Sequence, residues 1–264
     1  KLAESLLAAR PQHPAGYLLR AGLALGADQA AEAIGLLKQA SELDPTMVRP
    51  VLGLANIHFA QQELKQAAAW YDRALQVAPG SPDVRVARGQ FLFATGDPEE
   101  GRKEFQEAVE LSPDQERIRL VLADRYVALG RRDDAEQELA GLIADMNSYR
   151  ARKALAELKL TAGQVAETKP LVNAILEADE HDPVGIYFKG RIALAGNDLL
   201  QAVGLFEEAI GRDATLAGPH LYLGLARLAQ GRADSAEAAL REAIRMQPGN
   251  EAAHLALAKL YLTQ

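Results

Sequence analysis

The residue types that most often carry out catalysis or bind metals are scarce in this 264-residue chain or stand apart from one another. There is no cysteine, which excludes disulfides, thiolate metal ligands and a cysteine nucleophile. Carboxylate pairs such as Asp133–Asp134 and Glu207–Glu208 lie in a predicted exposed turn or helix and need no catalytic role. No glycine-rich phosphate loop, HExxH motif or nucleophile elbow occurs. The sequence therefore predicts a protein that is not an enzyme and uses no cofactor.

One short loop has the residue types of a divalent-cation site. His181 stands among Asp179, Glu180 and Asp182. The same cluster at a predicted helix end is typical of a polar helix terminus, which is the interpretation we favour. The sequence therefore predicts no metal site.

A run of cations on the predicted helices is the strongest local charge pattern in a chain whose net charge is −7. An acidic balance, with pI near 5.4, argues against a nucleic-acid-binding protein. Regularly spaced cations could instead form a stripe that meets an acidic peptide or an anionic polysaccharide. Alternatively, their stems cover apolar neighbours and their heads pair with nearby acids. The candidate anion-binding residues are Arg49, Arg85, Arg117, Arg150 and Lys153.

These residues must be positioned by helices that recur at a fixed period. Pro45, Pro79 and Pro113 lie 34 residues apart, each where a helix should end, and Asn147 takes the next place. Ala214 and Pro248 are again 34 residues apart. The spacing between Asn147 and Ala214 is one residue short of two periods, so one deletion lies between them. The composition is 48% hydrophobic and only 5% aromatic, which suits closely packed helices rather than an aromatic-centred core. The fold class is therefore all-α.

The stretch from Pro219 to Pro248 shows the repeating unit most clearly. Two short amphipathic patterns meet at Gly231, with small Gly224 in the first and Ala236, Leu240 and Ala243 in the second. This pattern resembles the tetratricopeptide repeat (TPR) family, whose helix pair recurs every 34 residues. The resemblance implies a right-handed superhelical solenoid in one array. Its repeats are 14–47, 48–81, 82–115, 116–148, 149–182, 183–216 and 217–250, with partial repeats at 1–13 and 251–264.

Two repeats depart from the family pattern. Gly96, Gly130, Gly163 and Gly231 mark the turns between paired helices, but the first repeat has Asp28 there. The repeat that begins at residue 149 has Thr168 in place of a small alanine and Pro170 near the start of its second helix. We expect that helix to start late, near Lys169, because proline is tolerated only in a first turn.

The resemblance also implies that first helices line a concave groove. The polar groove positions are Asn56, Gln90, Asp124, Glu157 and Arg191, and the apolar and aromatic ones include Phe59, Phe93 and Tyr187. Asparagine and glutamine there can bond both backbone groups of an extended peptide. Alternatively, the charges neutralise one another in solvent and the phenylalanines pack between helices. Leu52 stands where carboxylate-binding TPR co-chaperones have lysine, so that clamp is absent.

The predicted function is a non-catalytic scaffold that binds a protein or peptide segment in this groove. The alternatives are self-association into a homo-oligomer, or binding of an anionic polymer through the arginine stripe. Phrases such as YFKGRIALAGND resemble bacterial TPR lipoproteins of envelope and exopolysaccharide systems, which implies the periplasm or envelope. No apolar stretch is long enough to insert into a membrane. Both ends look cut inside repeats, so we expect a fragment of a longer chain.

Overall fold

The computed structural model describes residues 2–262, and within them the chain is all-helical, as predicted. Short turns join sixteen helices in this part of the chain. Their bounds are α1 Leu2–Ala9, α2 Pro14–Gly26, α3 Ala30–Leu43, α4 Val48–Ala60, α5 Leu64–Val77, α6 Pro82–Thr95, α7 Pro98–Leu111, α8 Gln115–Ala128, α9 Arg132–Met146, α10 Tyr149–Thr161, α11 Val165–Ala178, α12 Pro183–Ala195, α13 Leu199–Arg212, α14 Ala217–Ala229, α15 Ala233–Met246 and α16 Glu251–Leu262.

The chain divides into two compact units, residues 1–135 and 136–264, with the division inside α9. Within each unit, most even-numbered helices pack most extensively against the odd-numbered helix that follows. We call the even-numbered helices the first helices and the odd-numbered ones the second helices. Neighbouring first helices also contact each other. Helix α4 contacts α6, and α12 contacts α14. The repeat pattern predicts that the side of the first helices facing away from the second helices is concave. We call this side the inner face.

Small residues allow each helix pair to cross closely. In the first unit, a Cβ on Gly89 would lie 2.9 Å from the Phe105 ring and 3.1 Å from the Gly101 carbonyl oxygen. In the second unit, a Cβ on Gly190 would lie 2.6 Å from the Phe206 ring. Phe105 and Phe206 are fully buried, so each crossing packs one large ring against one bare backbone.

Left-handed residues close the turns inside the pairs. The four predicted turn glycines all have positive φ, between 70° and 93°. Asp28 takes the same conformation at φ 59°, as do Gln62 and Asn197, where no glycine marks the turn. Asp28 and Asn197 are residue types that tolerate this region, whereas glutamine has no such preference.

The expectation of a late start for α11 is wrong. The helix begins at Val165 and continues through Pro170. Proline has no N–H to bond the carbonyl four residues earlier, so the helix continues with one ladder bond missing. Thr168 is fully buried, and its hydroxyl donates to the Gln164 carbonyl at 2.9 Å. A threonine therefore fits where alanine was expected because its one polar group is satisfied within its own helix.

Candidate functional site

Amide side chains lie on the inner face of the first unit. Asn56 on α4 is exposed, and its Oδ1 accepts the Tyr71 hydroxyl of α5 at 2.6 Å. Burial raises the pKa of Tyr71 to about 12. Gln90 on α6 is half-buried and has no hydrogen bond within residues 2–262. These two amides keep donors and acceptors that a bound segment can use.

The two phenylalanines predicted beside them lie in different environments. Phe59 is half-buried and meets Phe91 edge-on, with ring centroids 5.5 Å apart. Phe93 is only 3% exposed and packs against Phe105 and Tyr126, each at 5.8 Å. Its ring lies inside the crossing of α6 and α7, where glycine at position 101 leaves space for it. Phe93 is therefore a core residue and is not available to a ligand.

Asp124 on α8 completes the predicted groove residues of the first unit. It is exposed and has no ion pair or hydrogen bond among the described residues. Its carboxylate is therefore exposed to solvent. Both interpretations of Asp124, as a groove residue that meets a ligand and as a solvated charge, agree with this exposure.

Most of the candidate anion-binding cations of the first unit are already paired. Arg85 contacts Glu104 at 3.1 Å and Glu107 at 2.5 Å, and Arg88 contacts Glu104 and Asp72. Glu104 is 7% exposed, so the two guanidiniums neutralise a buried carboxylate. Arg117 pairs with Asp83 at 3.0 Å and Asp114 at 3.3 Å. Arg49 is exposed and has no ion pair within the described range.

Of the two candidate anion-binding cations in the second unit, Lys153 is paired and Arg150 is not paired within the described residues. Lys153 pairs with the buried Asp182 and lies 4.5 Å from the Tyr149 ring centre. Tyr149 also donates to Asp182 at 2.6 Å. Arg150 is exposed, with no ion pair among the residues described. Three of the five predicted cations thus neutralise acids of their own chain, which leaves little free charge for an anionic polymer.

Arg191 organises the inner face of the second unit. It is 6% exposed, donates to Glu157 Oε1 at 2.6 Å and to the Tyr187 hydroxyl at 3.3 Å, and lies 4.5 Å from the Tyr222 ring centre. Burial alone would lower the pKa of Arg191, but Tyr187 and Glu157 outweigh it, so its pKa is raised. The guanidinium is therefore a fixed charge that holds two first-helix rings and one carboxylate in place.

Glu157 on α10 is the outward part of this cluster. Its side chain is 48% exposed, and both side-chain bonds that it accepts, from Arg191 and Thr161, end on Oε1. Oε2 has no partner among residues 2–262. The pair thus joins a buried cation to a half-exposed carboxylate that still has one oxygen without a partner among the described residues.

A cleft of about 920 Å³ opens beside this cluster. Its walls include Tyr187, Tyr222, Glu157 and the loops before α14 and α16. Gly218 permits the close approach of one wall, because a Cβ there would lie 2.9 Å from the Tyr187 ring and hydroxyl. Burial raises the pKa of Tyr187, so this phenol stays protonated. The cleft joins aromatic rings to polar side chains that include Glu157, Gln247 and Asn250, which suits a polypeptide segment.

The sequence signals account for part of this cleft. Glu157, Tyr187 and Arg191 are predicted groove residues, and they are brought together. The loop before α14 and Gly218 belong to the site without having been predicted, because a glycine in a first turn has no distinct signal until the ring against it is known. Within the described residues, no group of acids and histidines could hold a metal ion. No described helix is both long and apolar enough to cross a bilayer.

Paired helices that cross through small residues, with polar and apolar rows on one face, define a helical-repeat interaction protein. The tetratricopeptide repeat model matches residues 24–91, 92–148 and 227–264, which is more than half of the chain. The chain therefore belongs to the tetratricopeptide repeat family, whose stacked repeats generally serve as non-catalytic interaction modules.

Individual relatives are distant. The human protein O-mannosyl-transferase TMTC1 is 25% identical over 218 residues, which cover 80% of this chain and 24% of that protein. Cellulose synthase operon protein C of Pseudomonas fluorescens is 26% identical over 201 residues, which cover 72% of this chain and 15% of that protein. The chain thus spans about a quarter or less of the length of these relatives.

Solved structures support the fold. Yeast Tom70 matches 99% of this chain and 57% of its own length, with TM-score 0.72 and 18% identity. A tetratricopeptide repeat protein from Parabacteroides merdae matches 94% of this chain and 98% of its own, with TM-score 0.65 and 18% identity. At this identity the likeness concerns the fold alone.

Proposed function

We propose that this protein is a non-catalytic scaffold that binds a polypeptide segment of a partner on the inner face of its second unit. The observation that carries the proposal is the cleft of about 920 Å³ that Tyr187, Tyr222 and Glu157 line together, where Oε2 of Glu157 has no partner among the described residues. Rigid aromatic walls bury ligand area at small entropic cost, and the polar side chains beside them fix the register of the segment.

The proposed setting is a bacterial envelope assembly or secretion system. Similarity to cellulose synthase operon protein C of Pseudomonas fluorescens and of Komagataeibacter xylinus supports this setting. Both matches cover about 15% of the relative, so they support a shared repeat segment rather than a shared activity. The partner would then be a component of a polysaccharide-assembly or secretion machine.

The test compares capture of partners by the wild-type chain and by cleft variants. Ala214→Trp places a bulky ring in the exposed loop that lines the cleft, and Glu157→Gln removes its charge. Ala166→Trp, on the exposed side of the second helix α11, is the matched control. The chain is used as bait in envelope and cytosolic fractions, and the captured partner is then titrated against each variant.

We expect Ala214→Trp to weaken the titrated partner by tenfold or more, about 1.4 kcal/mol, while Ala166→Trp binds like the wild type. Equal binding of all three variants would move the interaction away from the cleft. Thermal unfolding of each variant, followed by circular dichroism, checks that the substitutions leave the fold intact.

A further inference from the structure

The turn between α4 and α5 contains a residue type that does not suit its conformation. Gln62 has φ 62°, in the left-handed region. In the other turns inside the helix pairs of residues 2–262, a glycine, an aspartate or an asparagine takes this place. These residues are Asp28, Gly96, Gly130, Gly163, Asn197 and Gly231. A glutamine in this region costs conformational energy and persists only where its neighbours determine the conformation.

A side-chain hydrogen bond spans this turn. His58 lies in the last turn of α4 and is only 5% exposed, and its Nδ1–H donates to Oε2 of Glu63 at 2.5 Å. The histidine is the donor because an ionised carboxylate can only accept. Neither side chain has another hydrogen bond or ion pair among the described residues. We call the pair of His58 and Glu63 the latch.

The backbone bonds of this turn match those of the next repeat, so they do not account for the glutamine. The Glu63 N–H donates to the His58 carbonyl at 2.9 Å. Around Gly96, the Asp97 N–H donates to the Leu92 carbonyl at the same distance of 2.9 Å. The Leu92 side chain has no polar group, so no latch can form there. The latch therefore distinguishes the turn that holds a glutamine from the turn that holds a glycine.

The latch uses a carboxylate that other repeats use to cap a helix. Asp97 accepts from the Glu100 N–H of α7 at 3.3 Å, and Asp198 accepts from the Gln201 N–H of α13 at 3.1 Å. Glu63 takes the same place before α5 but makes no such bond. The first N–H groups of a helix have no partner within the helix, so α5 begins without this support.

The first turn of α5 also has little packing of its own. Leu64, Lys65 and Gln66 are exposed, and Ala67 is the first fully buried residue of the helix. The larger core residue Tyr71 follows one turn later. A helix end with exposed backbone bonds and few buried contacts is where local opening costs least.

We propose that the latch holds the turn at Gln62 closed, and that the first turn of α5 opens locally when the latch is broken. The inference is independent of the proposed function, because it concerns the first unit and requires no partner.

The experiment measures amide hydrogen exchange by NMR in the full chain. The variants are Glu63→Ala, Gln62→Gly and the two combined, which leave the buried His58 ring in place. Should Glu63→Ala unfold the first unit, Glu63→Gln replaces it in the same comparison, because it removes the charge and keeps an acceptor. Emission of Trp70, the single tryptophan of the chain, checks that the rest of α5 stays packed.

Glu32→Ala is the matched control. Glu32 also lies in the first turn of a second helix, α3, and pairs with Arg20 at 3.3 Å, but this pair spans no turn with a glutamine. The control removes a paired glutamate of the first unit without touching the latch.

We expect Glu63→Ala to speed the exchange of the Gln66 and Ala67 amides about tenfold or more, because a hydrogen bond to a charged group is lost. The amides of α7 should keep their rates, and Glu32→Ala should leave the amides of α5 unchanged. In the Gln62→Gly background, Glu63→Ala should speed exchange by no more than about twofold, because glycine adopts the turn without support.

Equal acceleration by Glu63→Ala in both backgrounds would show that the bond does not act through the turn, and the latch would be wrong. So would unchanged exchange of the Gln66 and Ala67 amides in Glu63→Ala. If the amides of α7 accelerate as much as those of α5, the first unit opens as a whole and the proposed local opening is overturned.

Discussion

Arg191 shows how one buried cation can serve both stability and recognition. Its guanidinium is covered by Tyr187 and Tyr222 and neutralised by Glu157, which lies 34 residues earlier. Removing a partner from a buried ion pair is costly, because the remaining charge is left uncompensated. The same contact uses only Oε1 of the half-exposed Glu157 side chain, so Oε2 has no partner among the described residues. The contacts that stabilise buried Arg191 are therefore the same contacts that position the residues of the candidate site.

Gly190 lends itself to a direct test of close helix crossing. In Gly190→Ala the new Cβ would lie 2.6 Å from the ring of Phe206, which is fully buried and cannot give way. We expect a loss of about 1–3 kcal/mol of unfolding free energy from overpacking. Urea unfolding followed by circular dichroism measures it.

The control lies on the next helix of the same repeat. Gly204 of α13 is exposed, and a Cβ there would meet nothing within 4 Å. Gly204→Ala should stabilise the chain by about 0.5–1 kcal/mol, since alanine loses less backbone entropy in a helix. A destabilisation of Gly204→Ala as large as that of Gly190→Ala would contradict the argument that the space around the new Cβ decides the outcome.

Tyr71 gives a prediction for alkaline pH. Its folded-state pKa is about 12 because of burial, whereas a phenol in an unfolded chain titrates near 10. The proton is held more tightly in the folded state, so this contribution to stability is complete below pH ~10 and is lost as the pH rises toward ~12. The phenolate absorbance of wild type minus that of Tyr71→Phe should show one tyrosine that ionises late. A difference curve centred near pH 10 would contradict the burial argument.

At the scale of the helix, most starts and stops follow from residue type. Seven first helices begin at residues 14, 48, 82, 149, 183, 217 and 251, close after a proline, an asparagine or an equivalent turn residue. Four glycines and Asp28 provide left-handed turns. These features depend on a few neighbouring residues, so sequence reasoning finds them.

The second helix α11 is the exception, and it predicts a stabilising substitution. Pro170 is exposed and lies inside the helix, so the carbonyl of Ala166 lacks its usual N–H partner. Pro170→Ala should restore that bond and raise the unfolding free energy by about 1–3 kcal/mol. Thermal and urea unfolding report the change.

Pro98→Ala is the matched comparison. Pro98 is the first residue of α7, where a missing N–H costs nothing and the fixed φ suits the helix. That substitution should leave stability unchanged or lower it slightly. If both proline variants behave alike, the position of the proline within the helix is not what matters.

The candidate site was less accessible to prediction than the helices. Repeat position alone correctly groups Glu157, Tyr187 and Arg191, because equivalent positions in successive repeats become neighbours. It cannot separate Phe59 from Phe93, since the burial of Phe93 depends on Gly101 and Tyr126 in other helices, whereas Phe59 meets Phe91. Nor can it tell that Arg85 and Arg88 converge on Glu104, which lies 16 to 19 residues later.

At the scale of the whole molecule, the chain is a run of similar helix pairs in two compact units. It matches segments of much longer proteins whose names describe different activities, from a protein O-mannosyl-transferase to a cellulose synthase operon protein. A shared repeat segment among such proteins is consistent with a part that holds partners rather than one that performs chemistry.

The polar bonds between neighbouring repeats have a consequence for how the chain folds. Arg117 meets Asp83 and Arg191 meets Glu157 across 34 residues, and the Gln230 amide reaches the Leu199 carbonyl across 31. Each such bond closes a loop of nearly the same modest length, so no step requires distant parts of the sequence to find each other. Folding can then nucleate in any adjacent pair of repeats and spread outward, and amide hydrogen exchange should be slowest within α12–α14 and fastest at the outermost helices α1 and α16.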